Sequence, residues 1–196
     1  MAGRLLGKAM DVTNRRPTRL ALDVLAARPG ERILDVGCGT GAALNLLLRD
    51  VPCDATGLDR SPTMVASARR RLGSRAHIEL GAIDNKLVAG GPFDAVLALN
   101  VFYFADKGGA MARALRRQLR PGGRLIVYVT DRHAMERWGF ARAGIHRVFN
   151  ENELIEALAD GGFAPESISI EKRAVAPGVL GLVARALAPN SAGPDL

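Results

Sequence analysis

The sequence predicts an α/β fold: one doubly wound sheet of seven strands, mostly parallel, with an antiparallel last strand. Apolar strand-like runs alternate with amphipathic helical stretches along most of the chain, which favours parallel strands joined by crossover helices. The first strand, at 32–36, runs into a glycine-rich turn and then a helix. The last two strands, 167–173 and 179–186, are joined by a loop too short for a crossover helix, so they must pair antiparallel.

Turn and capping signals set the ends of the elements. Pro17 begins the first helix, and Ser61 before Pro62 is an N-cap followed by a favoured first helical residue. Asn150 and Glu153 have the spacing of a capping box. Helices are predicted over 17–27, 42–49, 62–72, 109–119 and from 150 to the glycines at 161–162. The other strands are predicted over 54–58, 77–80, 93–99 and 124–130, and the segment 131–144 is predicted to be helical in part.

Length and composition bound the class of protein. A chain of 196 residues, 48% of them hydrophobic, can bury one full core. It has no run of 18 apolar residues and no apolar leader near its start, so we expect neither a membrane span nor a signal peptide. Cys38 and Cys53 lack the spacing of a metal or redox pair. We therefore expect free thiols, no bound metal and a cytoplasmic location.

The charge raises the question of a nucleic-acid partner. The chain carries 27 basic and 20 acidic residues, a net charge of +7. The basic residues are nearly all arginine and are spread along the chain, and the densest groups, at 69–71 and 116–120, fall on predicted helices as solvated faces. Aromatic residues make up only 5%, too few for an obvious base-stacking surface. Nucleic acid is therefore not the expected partner.

The glycine turn is the main functional signal. Gly37, Gly39 and Gly41 separate the apolar first strand from the helix that follows. Such a turn lets polar groups of a ligand approach the backbone closely, and it presents free N–H groups at the positive end of the helix. Asp59 ends the next strand, 18 residues after Gly41, where an acid can accept both hydroxyls of a ribose. The pattern predicts an adenosine-type cofactor at the carboxyl ends of parallel strands.

Four stretches lie in a characteristic order along the chain. They are the glycine turn at 33–41, the segment 57–64 with its acid, the fourth strand with its polar end at 93–100, and the turn into the fifth strand at 119–126. Together they resemble the class I S-adenosylmethionine-dependent methyltransferases, which have a Rossmann-like fold, over residues 32–186. The resemblance implies that S-adenosyl-L-methionine is the cofactor and that methyl transfer is the reaction.

The resemblance also implies the cofactor contacts residue by residue. Asp35 is expected to help hold the amino group of the cofactor, and Asp59 the ribose diol. The carbonyl of Leu99 or Asn100 is expected to accept from the ammonium. The remaining expected contacts are the turn residues Gly37, Cys38, Gly39 and Gly41 against the methionine part, and Arg60 and Met64 beside the adenine.

The chain departs from the family pattern after the third strand. The family often has an acid there that accepts the adenine amino group, whereas this chain has Ala82. The N–H of Ile83 can still bond the adenine ring. Either Asp84 replaces the missing carboxylate two residues later, or the adenine is held mostly by packing.

Three alternatives share parts of these signals. The turn at 37–42 also satisfies the G-x-G-x-x-A pattern of NAD(P)-dependent reductases, and Tyr103 with Lys107 has the Tyr-x-x-x-Lys spacing of some of them. The two glycines that follow disfavour a helix there, and no catalytic serine lies upstream in the matching position. The segment 100–103 occupies the place where nucleic-acid amino-methyltransferases carry Asn-Pro-Pro-Tyr, but both prolines are missing. A protein that binds the cofactor without turnover is the third alternative.

The sequence defines the methyl acceptor and its binding residues less well than the cofactor site. Methyl transfer from a sulfonium needs a general base only if the acceptor is protonated. His133 and His146 bracket the segment after the fifth strand and are candidate bases. Tyr103, Trp138 and Phe140 are expected to line an apolar pocket, and Tyr103 is a third catalytic candidate. We expect a small-molecule acceptor with an apolar portion, attacked through O, N or C.

One catalytic domain is expected. Residues 1–30 are predicted to form a helical lid, residues 31–188 the methyltransferase domain, and residues 189–196 a disordered tail. We expect a monomer or a weak homodimer.

Overall fold

The helices and strands follow one another in the predicted order. The computed structural model describes residues 14–84, 86–137 and 146–190. The helices are α1 (Arg15–Leu25), α2 (Ala42–Asp50), α3 (Pro62–Leu72), α4 (Ala110–Arg117), α5 (Arg132–Arg137) and α6 (Glu151–Ala159). The strands are β1 (Arg32–Val36), β2 (Asp54–Asp59), β3 (His77–Leu80), β4 (Phe93–Leu99), β5 (Leu119–Thr130), β6 (Ile168–Ala176) and β7 (Val179–Leu187). Short 3-10 turns lie at Gly73–Arg75, Phe102–Phe104 and Pro165–Ser167.

All seven strands belong to one sheet, in the order β3-β2-β1-β4-β5-β7-β6. Neighbours from β3 to β5 pair in parallel, and β7 pairs antiparallel with both β5 and β6. The predicted fold class, a mostly parallel Rossmann-like sheet with an antiparallel last strand, is confirmed. The strand order reverses between β1 and β4, so a crevice forms at the carboxyl ends of these strands.

Helices cover both faces of the sheet. On one face Leu25 of α1, Leu44 of α2 and Leu72 of α3 belong to one buried apolar cluster. On the other face Leu115 of α4 and Leu158 of α6 belong to a second cluster. Each cluster also takes alternate side chains of the central strands, as expected for a sheet buried on both sides. The doubly wound arrangement is therefore confirmed.

Two of the three predicted helix starts have their capping contacts, whereas α1 begins at Arg15, two residues before the predicted Pro17. The side-chain oxygen of Ser61 accepts the backbone N–H of Met64 at 3.4 Å, and Pro62 is the first residue of α3. Asn150 and Glu153 form a reciprocal capping box at α6, with contacts of 3.0 and 2.8 Å. These local signals set the starts of α3 and α6.

The start of β5 differs from the prediction. The strand begins at Leu119 rather than at Arg124, and α4 ends at Arg117. Leu119 already pairs with Phe93 of β4, and the register shifts between Phe93 and Ala95. The proline and glycines at 121–123 therefore lie in an irregular first part of the strand, because the ladder with β4 continues on both sides of them.

A charged contact fixes α1 against the sheet. The guanidinium of Arg124 binds both carboxylate oxygens of Glu31 at 2.9 and 2.6 Å, and its Nε donates to the carbonyl of Leu25 at 2.7 Å. Burial raises the pKa of the Glu31 carboxyl, but the hydrogen bonds from Arg124 and the backbone of Arg28, together with the charges of both arginines, leave the pKa below its usual value. The carboxyl end of α1 is thus held near the start of β1, and its amino end points toward the carboxyl edge of the sheet.

Some expectations concern residues outside the described ranges. They are the pocket-lining roles of Trp138 and Phe140, the first thirteen residues of the lid, and the tail at 191–196. Across residues 14–84, 86–137 and 146–190, no helix has the length and apolar character needed to cross a membrane.

Candidate functional site

A cavity of about 330 Å³ opens at the carboxyl ends of β1, β2 and β4. It lies where the strand order reverses, the usual place for a ligand in an open parallel sheet. The predicted cofactor residues in its lining are Asp35, Gly37, Cys38, Gly39, Asp59, Arg60, Met64, Leu99 and Asn100. The other lining residues are Asn14, Thr18, Thr40, Ala42, Ala43, Val101 and Phe104. The sequence pattern thus brought most of the predicted cofactor residues to one place.

The glycine turn depends on backbone conformations that favour glycine. Gly37 and Gly41 have φ angles of +70° and +73°. A Cβ on Gly37 would lie 2.6 Å from the Cγ2 of Val101, and a Cβ on Gly41 would lie 2.8 Å from the Cδ1 of Leu72. Gly41 is outside the cavity lining and instead allows α2 to pack closely on α3.

The expectation of free N–H groups in the turn is wrong for Gly37, Cys38 and Gly41. The N–H groups of Gly37 and Cys38 donate to the carbonyl of Leu58 at 2.8 and 3.1 Å. The N–H of Gly41 donates to the carbonyl of Cys38 at 2.9 Å. The end of β2 lies directly beside the turn, and buried N–H groups rarely stay unpaired. A ligand therefore meets these residues as a close-fitting wall rather than as a set of hydrogen-bond donors.

Asp59 connects the turn to the end of β2. Its carboxylate is 8% exposed, with one oxygen accepting the N–H of Gly39 and the other the N–H of Ser61, both at 2.8 Å. Each carboxylate oxygen has a second lone pair. Asp59 can therefore accept ligand hydroxyls while it holds the turn.

Asp35 is the most buried acid of the cavity, with 2% of its surface exposed. Burial, together with the nearby charge of Asp59, raises the pKa of Asp35 to about 8. A positively charged ligand group beside Asp35 would favour its ionised form and lower that pKa. The two acids therefore give the cavity a preference for cations.

A hydrogen-bond network fixes the end of β4. Asn100 has a φ of +60°, its N–H donates to the carbonyl of Tyr128 at 2.9 Å, and its amide nitrogen donates to the side chain of Asn14 at 3.4 Å. The hydroxyl of Tyr103 accepts the N–H of Thr130 at 2.6 Å and donates to the Asn100 side chain at 3.4 Å. Burial raises the pKa of Tyr103, which is not among the cavity-lining residues. Its hydroxyl is placed to orient Asn100.

The residues after β3 are also outside the cavity lining. Ala82 is exposed, and Ile83 is half-buried against the core. The carboxylate of Asp84 accepts the N–H of Lys86 at 2.7 Å. Contacts of Ala82, Ile83 and Asp84 with an adenine therefore stay a prediction.

The two histidines have different surroundings. The side chain of His133 is 89% exposed, with its Nδ1 at 3.5 Å from Asp131. The ring of His146 meets that of Phe104 edge to face, with 5.0 Å between centroids. Phe104 lines the cavity and is 58% exposed. Sequence reasoning missed Phe104, although the aromatic run Phe-Tyr-Phe at 102–104 directly follows the polar end of β4.

The thiols of Cys38 and Cys53 are not activated as nucleophiles. Burial raises the pKa of the Cys38 thiol, and it raises that of Cys53 to about 11. Both thiols are therefore protonated at neutral pH. In the part of the chain that the structure describes, no cluster of three His, Cys, Asp or Glu side chains is arranged to hold a metal ion.

The sheet order, the cavity at the strand-order reversal and the acids Asp35 and Asp59 define an α/β protein of the nucleoside-cofactor class. Residues 33–123 match the family described as "Methyltransferase domain". Over this range the chain carries a methyltransferase domain, as the resemblance of its motifs to the S-adenosylmethionine-dependent methyltransferases implies.

Individual relatives have different named activities. The chain is 38% identical over 123 residues to a demethylmenaquinone methyltransferase of Beutenbergia cavernae, a match that covers 63% of this chain and 49% of the relative. It is 32% identical over 127 residues to a protein-L-isoaspartate O-methyltransferase of Methylorubrum populi, covering 63% and 57%. The chain thus spans about half the length of these curated relatives. In a solved complex between the Haloferax volcanii Trm112 methyltransferase activator and a methyltransferase, a matching chain superposes with a TM-score of 0.81 at 20% identity, covering 95% of this chain and 94% of that one.

Proposed function

We propose that this protein binds S-adenosyl-L-methionine in the cavity and transfers its methyl group to a small-molecule acceptor with an apolar portion. The observation that carries the proposal is the cavity itself, which places Asp35, Asp59 and the end of β4 around one space of about 330 Å³. This space suits a small cofactor with a ribose at one end and a cationic amino acid at the other.

The strand order gives the direction in which the cofactor lies. Asp59 at the end of β2 takes the ribose hydroxyls, with Arg60 and Met64 beside the base. The carbonyl of Leu99 or Asn100 at the end of β4 accepts from the ammonium, with Asp35 between them on β1. The reactive sulfonium then lies toward β4, beyond which the next strand is β5.

Methyl transfer is an in-line displacement on a carbon that already carries a good leaving group. The protein's contribution is to align the nucleophile, the methyl group and the sulfur, and to keep water out. The narrow turn and the fixed end of β4 hold the cofactor, while the acceptor approaches from the side of Phe104. A base is required only when the attacking atom carries a proton at working pH.

Phe104 supports an acceptor with an apolar portion. It is a large ring that stays 58% exposed at the mouth of the cavity. The segment behind it is well anchored: the N–H of Arg147 donates to the carbonyl of Tyr103 at 2.9 Å, and its guanidinium donates to the carbonyl of Asp106 at 2.7 Å. The ring contact with His146 completes a wall on the side of β5.

Among the three catalytic candidates, His146 has the position that best suits a general base. It contacts a cavity-lining ring, whereas the His133 side chain is almost fully exposed beside Asp131. The hydroxyl of Tyr103 has both its hydrogen-bonding directions in use, toward Thr130 and Asn100. We therefore assign Tyr103 to positioning and His146 to proton removal where the acceptor needs it.

The N-terminal segment is proposed to act as a lid. Asn14 and Thr18 of this segment line the cavity, and the Asn14 side chain contacts Asn100. A helix whose carboxyl end is fixed by Arg124 can close the cavity from its amino end. The free thiols of Cys38 and Cys53 support a reducing, cytoplasmic location, and a monomer or weak homodimer completes the proposal.

Thermal shift is the first test of the proposed function. S-adenosylhomocysteine should raise the unfolding temperature, because a ligand that binds only the native state stabilises it. NADP and a short RNA should not. Stabilisation by NADP alone would favour the reductase alternative, and stabilisation by RNA alone the nucleic-acid alternative. Methyl transfer to small-molecule, protein and RNA fractions, with a labelled methyl group, then tests turnover and the acceptor class.

A further inference from the structure

A groove lined by arginines runs over the outer surface of α1, α2 and α3. It consists of two adjoining hollows of about 420 and 240 Å³, which share Arg15 and Leu46. The smaller hollow also shares Thr18 and Ala42 with the cofactor cavity. The arginine groove, as we call it, therefore continues from the cavity along the helical layer and is distinct from it over most of its length.

Five arginines from three helices line this groove. Arg15, Arg16 and Arg19 come from α1, Arg49 from α2 and Arg71 from α3. Within the described part of the chain, Asp23 is the one acid in the lining. Side chains of the same charge repel when they share a surface, so this arrangement does not serve stability by itself.

Four of the five groove arginines have no side-chain partner among the described residues, whereas Arg71 donates to the hydroxyl of Thr40 at 2.9 Å. Arg69 donates to the carbonyl of Ile78, Arg113 to that of Asp160, and Arg124 binds Glu31. In residues 14–84, 86–137 and 146–190, by contrast, no hydrogen bond or ion pair engages the guanidinium groups of Arg15, Arg16, Arg19 and Arg49. These charges are available to a ligand.

The position of two of them is unfavourable for the helix that carries them. Arg15 and Arg16 lie in the first turn of α1, which contains no acidic residue. Cations at a helix amino terminus oppose the helix dipole, so helix stability does not account for them. A negative ligand beside them would satisfy both the side chains and the helix end.

We propose that the arginine groove binds a small molecule that carries two or more anionic groups, phosphate or carboxylate. Arginine presents a planar set of donors that matches both groups. The lining includes no aromatic side chain among the described residues, so it offers no surface for stacked bases. The hollows also have the volume of a small-molecule site rather than of an extended track.

The site is separate from cofactor binding. Arg19 and Arg49 are not in the lining of the cofactor cavity. Arg49 lies seven residues after Ala42, about 10 Å farther along α2 at the usual helical rise. An anion that extends from the hollow of Arg19 to that of Arg49 therefore occupies space that the cofactor does not need, and the proposal does not depend on methyl transfer.

Titration calorimetry with inorganic pyrophosphate tests the proposal on the 196-residue chain saturated with S-adenosylhomocysteine. At low ionic strength pyrophosphate should bind with a stoichiometry of one, and the affinity should fall as salt is added. Arg19→Gln and Arg49→Gln should each weaken binding by about tenfold, since each removes a charged hydrogen-bonding partner. Citrate in place of pyrophosphate distinguishes carboxylate from phosphate, and binding of either supports the proposal.

Two control variants make the test specific. Arg117→Gln and Arg185→Gln remove exposed arginines of α4 and β7, outside the groove, and should leave the pyrophosphate affinity unchanged. Equal weakening in a control and a groove variant would overturn the proposal, as would the absence of binding by both anions. Binding of a polyuridylate RNA without binding of pyrophosphate or citrate would also overturn it. Arg49→Gln should retain the wild-type affinity for S-adenosylhomocysteine, which separates a failure here from a failure of the proposed function.

Discussion

The carboxylate of Asp59 accepts a hydrogen bond from the backbone N–H of Gly39 at 2.8 Å. This contact joins the end of β2 to the turn that follows β1. The acid predicted to bind a ribose therefore also shapes the turn against which the cofactor lies. A change at Asp59 should alter two measurable quantities, the cofactor affinity and the free energy of unfolding.

Asp59→Ala should weaken the binding of S-adenosylhomocysteine by roughly 1–3 kcal/mol, because the ribose hydroxyls lose their acceptor. It should also lower the free energy of unfolding by about 1–2 kcal/mol, since the N–H groups of Gly39 and Ser61 lose theirs. Titration calorimetry and urea denaturation measure the two effects. Asp54→Ala, at the exposed start of β2, is the matched control. Unchanged affinity in Asp59→Ala would contradict the ribose assignment.

Asp35→Asn should stabilise the cofactor-free protein at alkaline pH. The pKa of Asp35 is raised to about 8, whereas an unfolded aspartate loses its proton near pH 4. Between these values the folded state keeps a proton that the unfolded state releases, so Asp35 lowers stability as the pH rises through this window and has no further effect above it. At pH 8.5 the free energy of unfolding of the variant should exceed that of the wild type by more than about 1.4 kcal/mol, the equivalent of one pKa unit.

Urea denaturation at pH 5 and pH 8.5 measures this difference, which should be smaller at pH 5. The same variant should bind S-adenosylhomocysteine more weakly, because an amide cannot pair with the ammonium. A stability difference that is equal at both pH values would show that Asp35 is already ionised in the folded protein.

Tyr103→Phe should weaken cofactor binding by about 1 kcal/mol, because Asn100 loses the hydroxyl that orients it. Tyr128→Phe is the matched control: its hydroxyl is also buried but lies 3.4 Å from the side chain of Thr130. If Tyr103 were instead a catalytic residue, its variant would keep the wild-type affinity for S-adenosylhomocysteine and lose turnover. Calorimetry and a methyl-transfer assay together separate the two roles.

His146→Asn should reduce the rate of methyl transfer without changing the affinity for S-adenosylhomocysteine, if the acceptor loses a proton during the reaction. His133→Asn removes the exposed imidazole and should keep the wild-type rate. Equal rates in all three proteins would return His146 to a structural role.

Gly41→Ala should lower the free energy of unfolding by about 2–4 kcal/mol. The left-handed φ of +73° costs about 1–2 kcal/mol for alanine, and the added methyl group would lie 2.8 Å from Leu72. Gly30→Ala is the control, since Gly30 has a φ of +80° and open space around it. Urea denaturation should show a clearly larger loss for Gly41→Ala. Equal losses of unfolding free energy in the two variants would mean that α3 shifts to accommodate the added methyl group at little cost.

The fold was predictable because its signals are local. The glycine turn, the Ser61 cap and the Asn150–Glu153 capping box act within a few residues, and each predicted helix lies within two residues of its observed place. The exception at β5 arose from pairing with β4, which overrides the breaking tendency of the residues at 121–123.

The site was predictable only in part, because the end of β4 and the mouth of the cavity depend on contacts between distant residues. The pairs Asn14–Asn100 and Phe104–His146 join residues far apart in the chain, and no local pattern indicates them. The same holds for the carbonyl of Leu58, which accepts hydrogen bonds from N–H groups that the turn was expected to leave free. The arginines of α1 line a groove only because α2 and α3 lie beside them, which no local pattern indicates.

The two buried acids have a consequence for turnover. S-adenosylmethionine carries a positive sulfur as well as its ammonium, and the departing methyl group takes that sulfur to an uncharged thioether. A pocket with an excess of negative charge would therefore bind S-adenosylmethionine more tightly than S-adenosylhomocysteine. The loss of that charge during methyl transfer would therefore favour release of the by-product.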